Sequence, residues 1–404
     1  MSVTNPDTVR FDYLRKLFQA DLRPALRQYM AGTLKGPILV EFDPTTACNY
    51  SCPECISAGL LNKEHIPADR IERLLQEFVS AGVRGIIFIG GGEPLAHTAM
   101  PRPIELAFEL GLKIGLTTNG SLIDRHIDAI GRCVSWTRVS IDAATEETYA
   151  IFRPNRIPHS FDRVIRNMET LAKRKAGALG YSFLVVQRPC DRQYATFADT
   201  RETLISVHGL RRNVADRQEY VTNAGEIFAA ARLAREIGCD YFEYKPMVDP
   251  THYLLSFDEP LRQLIAEQHQ RCKELETDTF KVIAPRSIEY LRHHDDPIEQ
   301  KAYSRCPAMD LRTLVTPTGI YPCPYHRGSE DKRLGTLDQP FDTFWNSDAR
   351  REAMGKTVPS RDCEFYCIRH TSNLALSSLK GLQEAGVPLL DHIQEYEGID
   401  DPFF

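Results

Sequence analysis

The chain has 404 residues, more than a single typical domain, which predicts one large catalytic unit with an appendage. Its 42% apolar and 26% charged residues are ordinary for a globular protein, and its formal net charge of −6 argues against a nucleic-acid partner. No apolar run approaches the roughly 20 residues of a membrane helix, so we expect no membrane partner. Eleven cysteines and an N-terminus without a signal-peptide core favour a reducing compartment, and we expect a cytoplasmic location.

Apolar strand-like runs and amphipathic helical runs alternate along the chain. Residues 11–32 have the apolar spacing of one helix. Strands are predicted near 37–42, 84–89, 112–117, 135–141, 181–187 and 240–246. Helices are predicted near 67–81, 101–110, 122–131, 160–175 and 222–237. Six β/α repeats predict an α/β fold with a parallel sheet, either open or a partial barrel, and place the working groups at the carboxyl ends of the strands.

Three cysteines, Cys48, Cys52 and Cys55, follow the first predicted strand. Three thiolates this close in sequence can hold three corners of an iron–sulfur cube, which leaves one iron open to a small molecule. Closed structural sites normally use four ligands. From the residues alone, two alternatives stay open: a thioredoxin-type pair in Cys52-Pro-Glu-Cys55, and a zinc site that adds His65.

Glycine-rich or polar segments end the next three predicted strands. Gly90-Gly91-Gly92-Glu93-Pro94 can bring bare backbone close to a ligand. Thr117-Thr118-Asn119-Gly120 ends the third strand, and Ser140-Ile141-Asp142 ends the fourth. Strand alternation turns the side chains of Ser140 and Asp142 to the same side. Each segment alone also fits an ordinary turn.

Taken in order, these segments resemble the radical S-adenosylmethionine (SAM) enzymes, and the likeness extends over residues 37–370. It implies a partial (β/α)6 barrel in which Cys48, Cys52 and Cys55 bind a [4Fe–4S] cluster whose open iron chelates SAM. The SAM contacts that it implies are Gly91, Gly92, Glu93, Pro94, Thr118, Asn119, Ser140, Asp142 and Arg153. Among them, Glu93 would serve the SAM ammonium, Ser140 and Asp142 the ribose hydroxyls, and Arg153 the carboxylate.

At two positions the family's residue roles are not assigned to this sequence on the resemblance alone. Glu54 stands where the family often has an aromatic residue near the adenine, so that contact is not carried over. Arg153 equally fits a solvated helix end.

The chemistry that the resemblance implies is one-electron cleavage of SAM to a 5′-deoxyadenosyl radical, which removes a hydrogen atom from an unactivated C–H bond. It also implies a one-electron donor such as flavodoxin or ferredoxin.

A second set of cysteines comprises Cys306, Cys323, Cys363 and Cys367. The segment before Cys323 predicts a β-hairpin that turns at Pro317-Thr318-Gly319, and residues 343–354 form a helical run. The arrangement resembles the SPASM or shorter twitch extensions of radical SAM enzymes and implies one fully ligated auxiliary [4Fe–4S] cluster that exchanges electrons. The spacing from Gly319 to Cys323 is one residue shorter than the usual SPASM pattern. A structural zinc site and buried apolar thiols remain alternatives.

The predicted division of the chain has five parts. They are an N-terminal helical extension (1–36), the radical SAM barrel (37–250), a helical and strand connector (251–300), the auxiliary-cluster domain of hairpin plus helix (301–375) and a C-terminal tail (376–404).

Two further residues are candidates on the substrate side. Cys190 follows the fifth strand and could return a hydrogen atom in an epimerase, although an incidental thiol is the alternative. Lys245 ends the sixth strand and could contact substrate. The long link at 188–221 could be an arginine lid for an anionic substrate or a solvated helix. Its arginines are Arg188, Arg192, Arg201, Arg211, Arg212 and Arg217.

Three function classes remain at this point. The first is a radical SAM oxidoreductase or epimerase acting on a small polar metabolite, of the sugar, aminocyclitol or nucleotide-sugar type. The second is a maturase of a ribosomally made peptide, a class that commonly carries a peptide-recognition domain and more cysteines. The third is a non-catalytic Fe–S or zinc protein, which the SAM-side motifs disfavour.

Overall fold

The structure, a computed structural model, describes residues 13–189, 211–212, 219–247, 259–284, 301–363, 367–393, 395–396 and 400–404. Its strands are β1 (Leu39–Phe42), β2 (Gly85–Phe88), β3 (Lys113–Thr118), β4 (Trp136–Ser140), β5 (Ala178–Val185), β6 (Gln187–Pro189), β7 (Arg211–Arg212), β8 (Glu219–Thr222), β9 (Tyr241–Pro246), β10 (Lys281–Ile283), β11 (Arg312–Thr316) and β12 (Gly319–Tyr321). Nine of them form one sheet in the order β10-β9-β5-β4-β3-β2-β1-β11-β12. Every neighbouring pair in it is parallel except β11 and β12. The predicted α/β fold with an open, partial barrel is confirmed.

The helices of the described residues follow the same alternation. They are α1 (Tyr13–Leu17), α2 (Arg23–Met30), α3 (Ala68–Ser80), α4 (Arg102–Glu109), α5 (Ile127–Cys133), α6 (Glu146–Phe152), α7 (Ser160–Ala172), α8 (Ile227–Ile237), α9 (Glu259–Lys273), α10 (Ala308–Leu311), α11 (Phe341–Trp345), α12 (Asp348–Gly355), α13 (Pro359–Asp362) and α14 (His370–Glu384). None of these helices is long and apolar enough to cross a membrane.

Alternate residues of each strand separate a helix-covered face from an inner face. Val40 and Phe42 of β1 join the main core, where they meet apolar side chains of the covering helices such as Leu74 of α3 and Ile104 of α4. Glu41 lies between them and points the other way, as strand geometry requires. The same alternation in β4 and β9 puts charged residues on the inner face, which also carries an apolar cluster of Leu39, Ile87, Trp136 and Phe403.

Two predicted helices are divided. The single helix expected at 11–32 is α1 and α2, separated at Gln19, whose side-chain amide donates to the carbonyls of Lys16 and Asp401. Pro24 then occupies the first turn of α2, where its missing N–H costs nothing. The helical run expected at 343–354 is α11 and α12, and the side chain of Ser347 caps α12 by accepting from the amide of Arg350.

The predicted hairpin forms, and it belongs to the main sheet. β11 and β12 are antiparallel and β11 pairs in parallel with β1, Leu39 beside Arg312 and Phe42 beside Val315. The predicted connector also contributes a strand, because β10 pairs with β9. α14 crosses residue 375, where the predicted auxiliary domain ends; the predicted domain boundaries stay a prediction.

Candidate functional site

The loop after β1 carries the three clustered cysteines at the carboxyl edge of the sheet. Cys48, Cys52 and Cys55 are each half-buried and lie near enough to affect one another electrostatically. Two donors face the sulfurs: the amide of Tyr50 lies 3.4 Å from Cys48 Sγ, and Arg153 Nη1 lies 3.7 Å from Cys52 Sγ. Burial raises the pKa of Cys48 to about 11 and of Cys52 to about 12. A metal that binds these thiols must therefore displace their protons, and the N–H donors favour the resulting thiolates.

The glycine segment after β2 packs directly under this loop. A Cβ on Gly92 would lie 2.2 Å from the carbonyl oxygen of Ala47 and 2.6 Å from the carbonyl carbon of Thr46. The amide of Glu93 donates to the same carbonyl of Ala47 at 2.8 Å. The loop before Cys48 thus depends on a backbone without a side chain at Gly92.

Glu93 joins the second motif to the third. Its buried carboxylate accepts from the amide of Leu95 (3.1 Å), from Thr118 Oγ1 (2.6 Å) and from the amide of Asn119 (2.7 Å). Burial raises the pKa of Glu93, and these donors act against that rise. The carboxylate therefore orients the Thr118-Asn119 turn, while its unused lone pairs stay available as acceptors.

A side-chain amide chain ties the same turn to the cysteine loop. Asn119 Nδ2 donates to Asn49 Oδ1 at 2.8 Å, and Asn49 Nδ2 donates to Ser121 Oγ at 2.8 Å. Ser121 Oγ in turn donates to Asn119 Oδ1 at 2.7 Å. Asn49 follows Cys48 directly, so the ends of β1 and β3 are fixed relative to each other.

Asp142 and Arg153 form a buried ion pair beside Cys52. Arg153 Nη2 lies 2.5 Å from Asp142 Oδ2, and Asp142 Oδ1 accepts from the amide of Leu184 at 2.6 Å. Burial acts to lower the pKa of Arg153, but the charges of Asp142 and Cys52 outweigh it and raise the pKa. Arg153, at the C-terminal end of α6, thus lies at the site with its side chain only 17% exposed. In this structure, protein groups bind both carboxylate oxygens of Asp142, which lies two residues beyond Ser140, the last residue of β4.

A second buried ion pair reaches the loop from the C-terminal part of the chain. Arg327 binds Asp43 through two contacts, Nε to Oδ2 at 2.6 Å and Nη2 to Oδ1 at 3.2 Å. Its Nη1 also donates to Ser57 Oγ at 3.3 Å, and the guanidinium lies within electrostatic range of Cys55. Burial raises the pKa of Asp43 to about 6, and Arg327 acts against that rise. Asp43 directly follows β1, so this pair ties the segment after Cys323 to the start of the cysteine loop.

The profile that describes the radical SAM superfamily matches residues 42–189. This match covers the cysteine loop, the glycine segment and the ends of β3 and β4 that the site brings together. Residues 42–189 therefore form a radical SAM domain. Enzymes of this superfamily use SAM and a [4Fe–4S] cluster.

Curated relatives of this chain have several activities. An AdoMet-dependent heme synthase from Methanosarcina barkeri is 30% identical over 36% of the chain and 42% of its own length. An S-adenosylmethionine-dependent nucleotide dehydratase from Lacinutrix mariniflava is 33% identical over 27% of the chain and 24% of its own length. The mycofactocin maturase MftC from Mycobacterium ulcerans is 24% identical over 80% of the chain and 78% of its own length. The chain thus spans less than half of the first two relatives and more than three quarters of the third.

Two solved structures share the fold. SuiB from Streptococcus suis, bound to S-adenosylmethionine, superposes with a TM-score of 0.57 and 16% identity over 83% of this chain and 72% of that one. The anSMEcpe structure with bound AdoMet and a peptide gives a TM-score of 0.52 and 15% identity over 88% of this chain and 98% of that one. At these identities the likeness is one of fold.

The inner face of the radical SAM sheet holds a group of charged side chains. Lys245 Nζ lies 3.4 Å from Glu243 Oε1, and Arg138 Nη1 lies 3.4 Å from Glu243 Oε2. Burial raises the pKa of Glu243, but the charges of Lys245 and Arg138 outweigh it and lower the pKa to about 2. The predicted substrate contact Lys245 is therefore on the inner face, 35% exposed and already paired with Glu243.

The remaining members of this inner charged group lie around β1. Glu41 Oε1 accepts from Arg312 Nη2 of β11 and, at 3.3 Å, from Arg369 Nη2. All three are nearly buried, and Glu41 Oε2 has no hydrogen-bond partner. Arg369 comes two residues after Cys367, so it connects the second cysteine set to the inner face.

The second cysteine set, Cys306, Cys323, Cys363 and Cys367, is also brought together. Cys306 is affected electrostatically by the other three thiols. Asn373 of α14 donates to Cys306 Sγ at 3.2 Å and accepts from the amide of Ala308 at 2.9 Å. Cys363 Sγ lies 3.6 Å from His326 Nε2. Burial raises the pKa of Cys323 to about 11 and of Cys363 to about 12.

In neither cysteine set do the sulfur atoms converge on one metal position. Within the described ranges, no three His, Cys, Asp or Glu side chains lie close enough together to bind one metal ion. The thiolates of a four-iron cube each bind a different iron, so they do not have to converge in that way.

Several residues of the candidate site were not predicted from the sequence. Asp43, Arg327 and Asn49 each lie within a few residues of a predicted ligand cysteine, which was the available signal. Glu41, Arg138 and Glu243 alternate with apolar residues in their strands, a pattern that marks a polar inner face. Cys190 lies outside the described residues. So do the arginines of the predicted lid, apart from the backbone of Arg188 in β6 and of Arg211 and Arg212 in β7.

Proposed function

We propose that this chain is a radical SAM enzyme that removes a hydrogen atom from a small polar metabolite, with dehydrogenation or epimerisation as the outcome. One observation carries the proposal: four strand ends place a three-cysteine loop, a glycine segment and two buried ion pairs above a charged inner face. Apolar packing alone does not need charges at that place, because buried charges cost free energy unless they are paired or used. A sugar, aminocyclitol or nucleotide-sugar has the polar groups that such a face can bind.

The cysteine loop fits a cluster with one open iron. Cys48, Cys52 and Cys55 would hold it, with the amide of Tyr50 and the guanidinium of Arg153 directed at two of the sulfurs. The cluster and SAM supply one-electron bond cleavage and an adenosyl radical when they are bound. The protein holds the loop on the backbone of Gly92 and fixes its orientation through Asn49.

The groups proposed to contact SAM surround this loop. Gly91, Gly92 and Pro94 offer backbone beside it, and Glu93 retains acceptor capacity for an ammonium. Thr118 and Asn119 are oriented by Glu93. Ser140 and Asp142 are proposed for the ribose, and Arg153 for the carboxylate. Asp142 is bound to Arg153 in this structure, so we expect SAM to share that ion pair.

We also propose that Cys306, Cys323, Cys363 and Cys367 hold an auxiliary [4Fe–4S] cluster in a twitch-like domain. Four clustered thiols can close all the corners of a cube, which leaves electron exchange as its role. Arg369 and Arg327 extend from this region to the inner face and to the cysteine loop respectively. That arrangement suits an oxidation in which a second electron leaves the substrate. Lys245 is proposed as a substrate contact and Cys190 as a hydrogen-atom donor in an epimerase.

A peptide maturase is the second candidate. It is favoured by the mycofactocin maturase relative, which this chain matches over 80% of its own residues and 78% of the relative's. SuiB has also been solved bound to its precursor peptide. A peptide would present one side chain to the same inner face, so the substrate panel must contain both classes.

The test is anaerobic reconstitution followed by an assay of SAM cleavage. We expect about eight irons per chain and 5′-deoxyadenosine formation that disappears in Cys48→Ala. Cys133→Ala is the matched control, because Cys133 is a buried thiol in α5, away from the carboxyl ends of the strands. About four irons would reject the auxiliary cluster. SAM cleavage accelerated by a peptide, and by no sugar, cyclitol or nucleotide, would favour the maturase; no cleavage at all would favour a non-catalytic protein.

A further inference from the structure

The charged side chains of the inner face include more cations than anions. This inner charged group consists of Glu41, Arg138, Glu243, Lys245, Arg312 and Arg369. Arg138 and Lys245 share the carboxylate of Glu243, and Arg312 and Arg369 share one oxygen of Glu41. Four cationic side chains therefore face two side-chain carboxylates, and Arg312 also donates to the main-chain oxygen of Phe404. The ion pairs at the strand ends, Asp142 with Arg153 and Asp43 with Arg327, are balanced and do not compensate the excess.

The two halves of the group face the same space. Tyr13 of α1 lies within electrostatic range of Glu243 and Arg138 in one half and of Arg369 and Arg312 in the other. The strand positions agree, because Glu41 of β1, Arg138 of β4 and Glu243 of β9 all alternate with residues of the helix-covered core.

Some hydrogen-bond donors of the inner charged group also lack a partner. The buried Nε atoms of Arg138, Arg312 and Arg369 have no hydrogen-bond partner. Burial and the like charge of Arg369 lower the pKa of Arg312 to about 10, and burial also lowers the pKa of Lys245. Excess positive charge of this kind is costly in a protein interior, and an anion bound there would offset the cost.

We propose that the inner charged group binds an anionic group of the substrate, a carboxylate or a phosphate, with Arg138 and Lys245 as its direct contacts and Arg369 behind them. Arg138 and Lys245 are 24% and 35% exposed, so a ligand can reach them, whereas Arg312 and Glu41 are nearly buried. The guanidinium of Arg138 offers a planar donor pair and Lys245 a point charge, a combination suited to oxyanions. This inference rests on the proposed function, since it names the substrate class of the same site.

Inorganic phosphate and malonate serve as the two probes, titrated calorimetrically into the reconstituted 404-residue chain saturated with SAM. We expect saturable binding of at least one probe, and the stronger probe identifies phosphate or carboxylate as the natural group. Arg138→Gln and Lys245→Met should each weaken that binding about tenfold or more. Arg102→Gln, which changes an exposed arginine of α4 paired with Glu109, should leave it unchanged.

A variant that is expected to tighten anion binding distinguishes a local effect from misfolding. Glu243→Gln removes the carboxylate that competes for Arg138 and Lys245, so it should tighten anion binding at least about threefold. Damage to the fold would weaken binding instead. Arg138→Lys, which keeps the charge, should retain most of the affinity.

The experiments separate loss of the proposed anion site from loss of SAM cleavage. SAM cleavage without any anion binding, or binding that is equal in all five variants, overturns the anion site and leaves the radical SAM activity standing. Anion binding that occurs only without SAM overturns it too, because the cations would then serve the SAM carboxylate. Absence of SAM cleavage is a failure of the proposed function itself.

Discussion

The close contact between Gly92 and the loop before Cys48 makes Gly92→Ala a sharp test of the site. An added Cβ would lie 2.2 Å from the Ala47 oxygen, whereas Cβ contacts under 3.0 Å essentially never occur. The backbone must therefore move by about 0.8 Å, the difference between those two distances. Because the obstacle is backbone and not the end of a flexible side chain, the movement displaces the loop that carries the cysteines.

The magnitude follows from overpacking and from catalytic geometry. Forcing a methyl group into a filled space typically costs about 1–3 kcal/mol, and a backbone obstacle places Gly92→Ala near the upper value. A displacement of about 1 Å at a reacting centre lowers a rate by roughly a hundredfold. We therefore expect Gly92→Ala to lose about 3 kcal/mol in free energy of unfolding and to cleave SAM about a hundredfold more slowly.

Gly59→Ala provides the matched control in the same loop. A Cβ on Gly59 would meet nothing within 4 Å, and its φ is not positive, so the change should be neutral or stabilising by up to about 1 kcal/mol. Urea denaturation, iron content per chain and 5′-deoxyadenosine formation are measured for both variants. If Gly92→Ala retained the iron content and SAM cleavage of the wild type, the cysteine loop would not depend on this contact.

Three further predictions address the ion pairs and the auxiliary site. Arg327→Gln leaves Asp43 buried without its partner and should cost about 3–5 kcal/mol in urea denaturation; adding Asp43→Asn should recover much of the loss, and an additive double variant would contradict the pairing. The pKa of Glu243, lowered to about 2, lies below its unfolded value, so its stabilisation is full above about pH 4.5 and is lost as the pH falls toward 2. The free energy of unfolding of the wild type relative to Glu243→Gln should therefore fall by about 3 kcal/mol across that window, and a flat difference would contradict the assignment. Asn373→Ala removes an N–H donor from Cys306 Sγ and should lower the potential of a cluster bound there, because such donors stabilise its reduced form. Redox titration followed by electron paramagnetic resonance measures this change, and an unchanged potential would place Asn373 outside the cluster environment.

The strands were predictable because their signal is local. Apolar runs identified all six strands of the predicted barrel, and the parallel order followed from the helices between them. The break between α1 and α2 was not predictable in this way. It depends on Gln19, whose side chain binds the carbonyl of Asp401, 382 residues away. Apolar periodicity cannot reveal a contact at that separation, and it therefore predicted one helix.

The same distinction explains which parts of the site were found. Motifs that combine residues within one segment were recognised, whereas pairs such as Asp43 with Arg327, 284 residues apart, exist only because β11 adds to the edge of the sheet at β1. Arg153 shows how much the fold decides. Its sequence equally fits a solvated helix end, but α6 starts just beyond β4, so the end of this helix returns over the cysteine loop. There the guanidinium lies between Asp142 and Cys52, and its electrostatic role follows from that position.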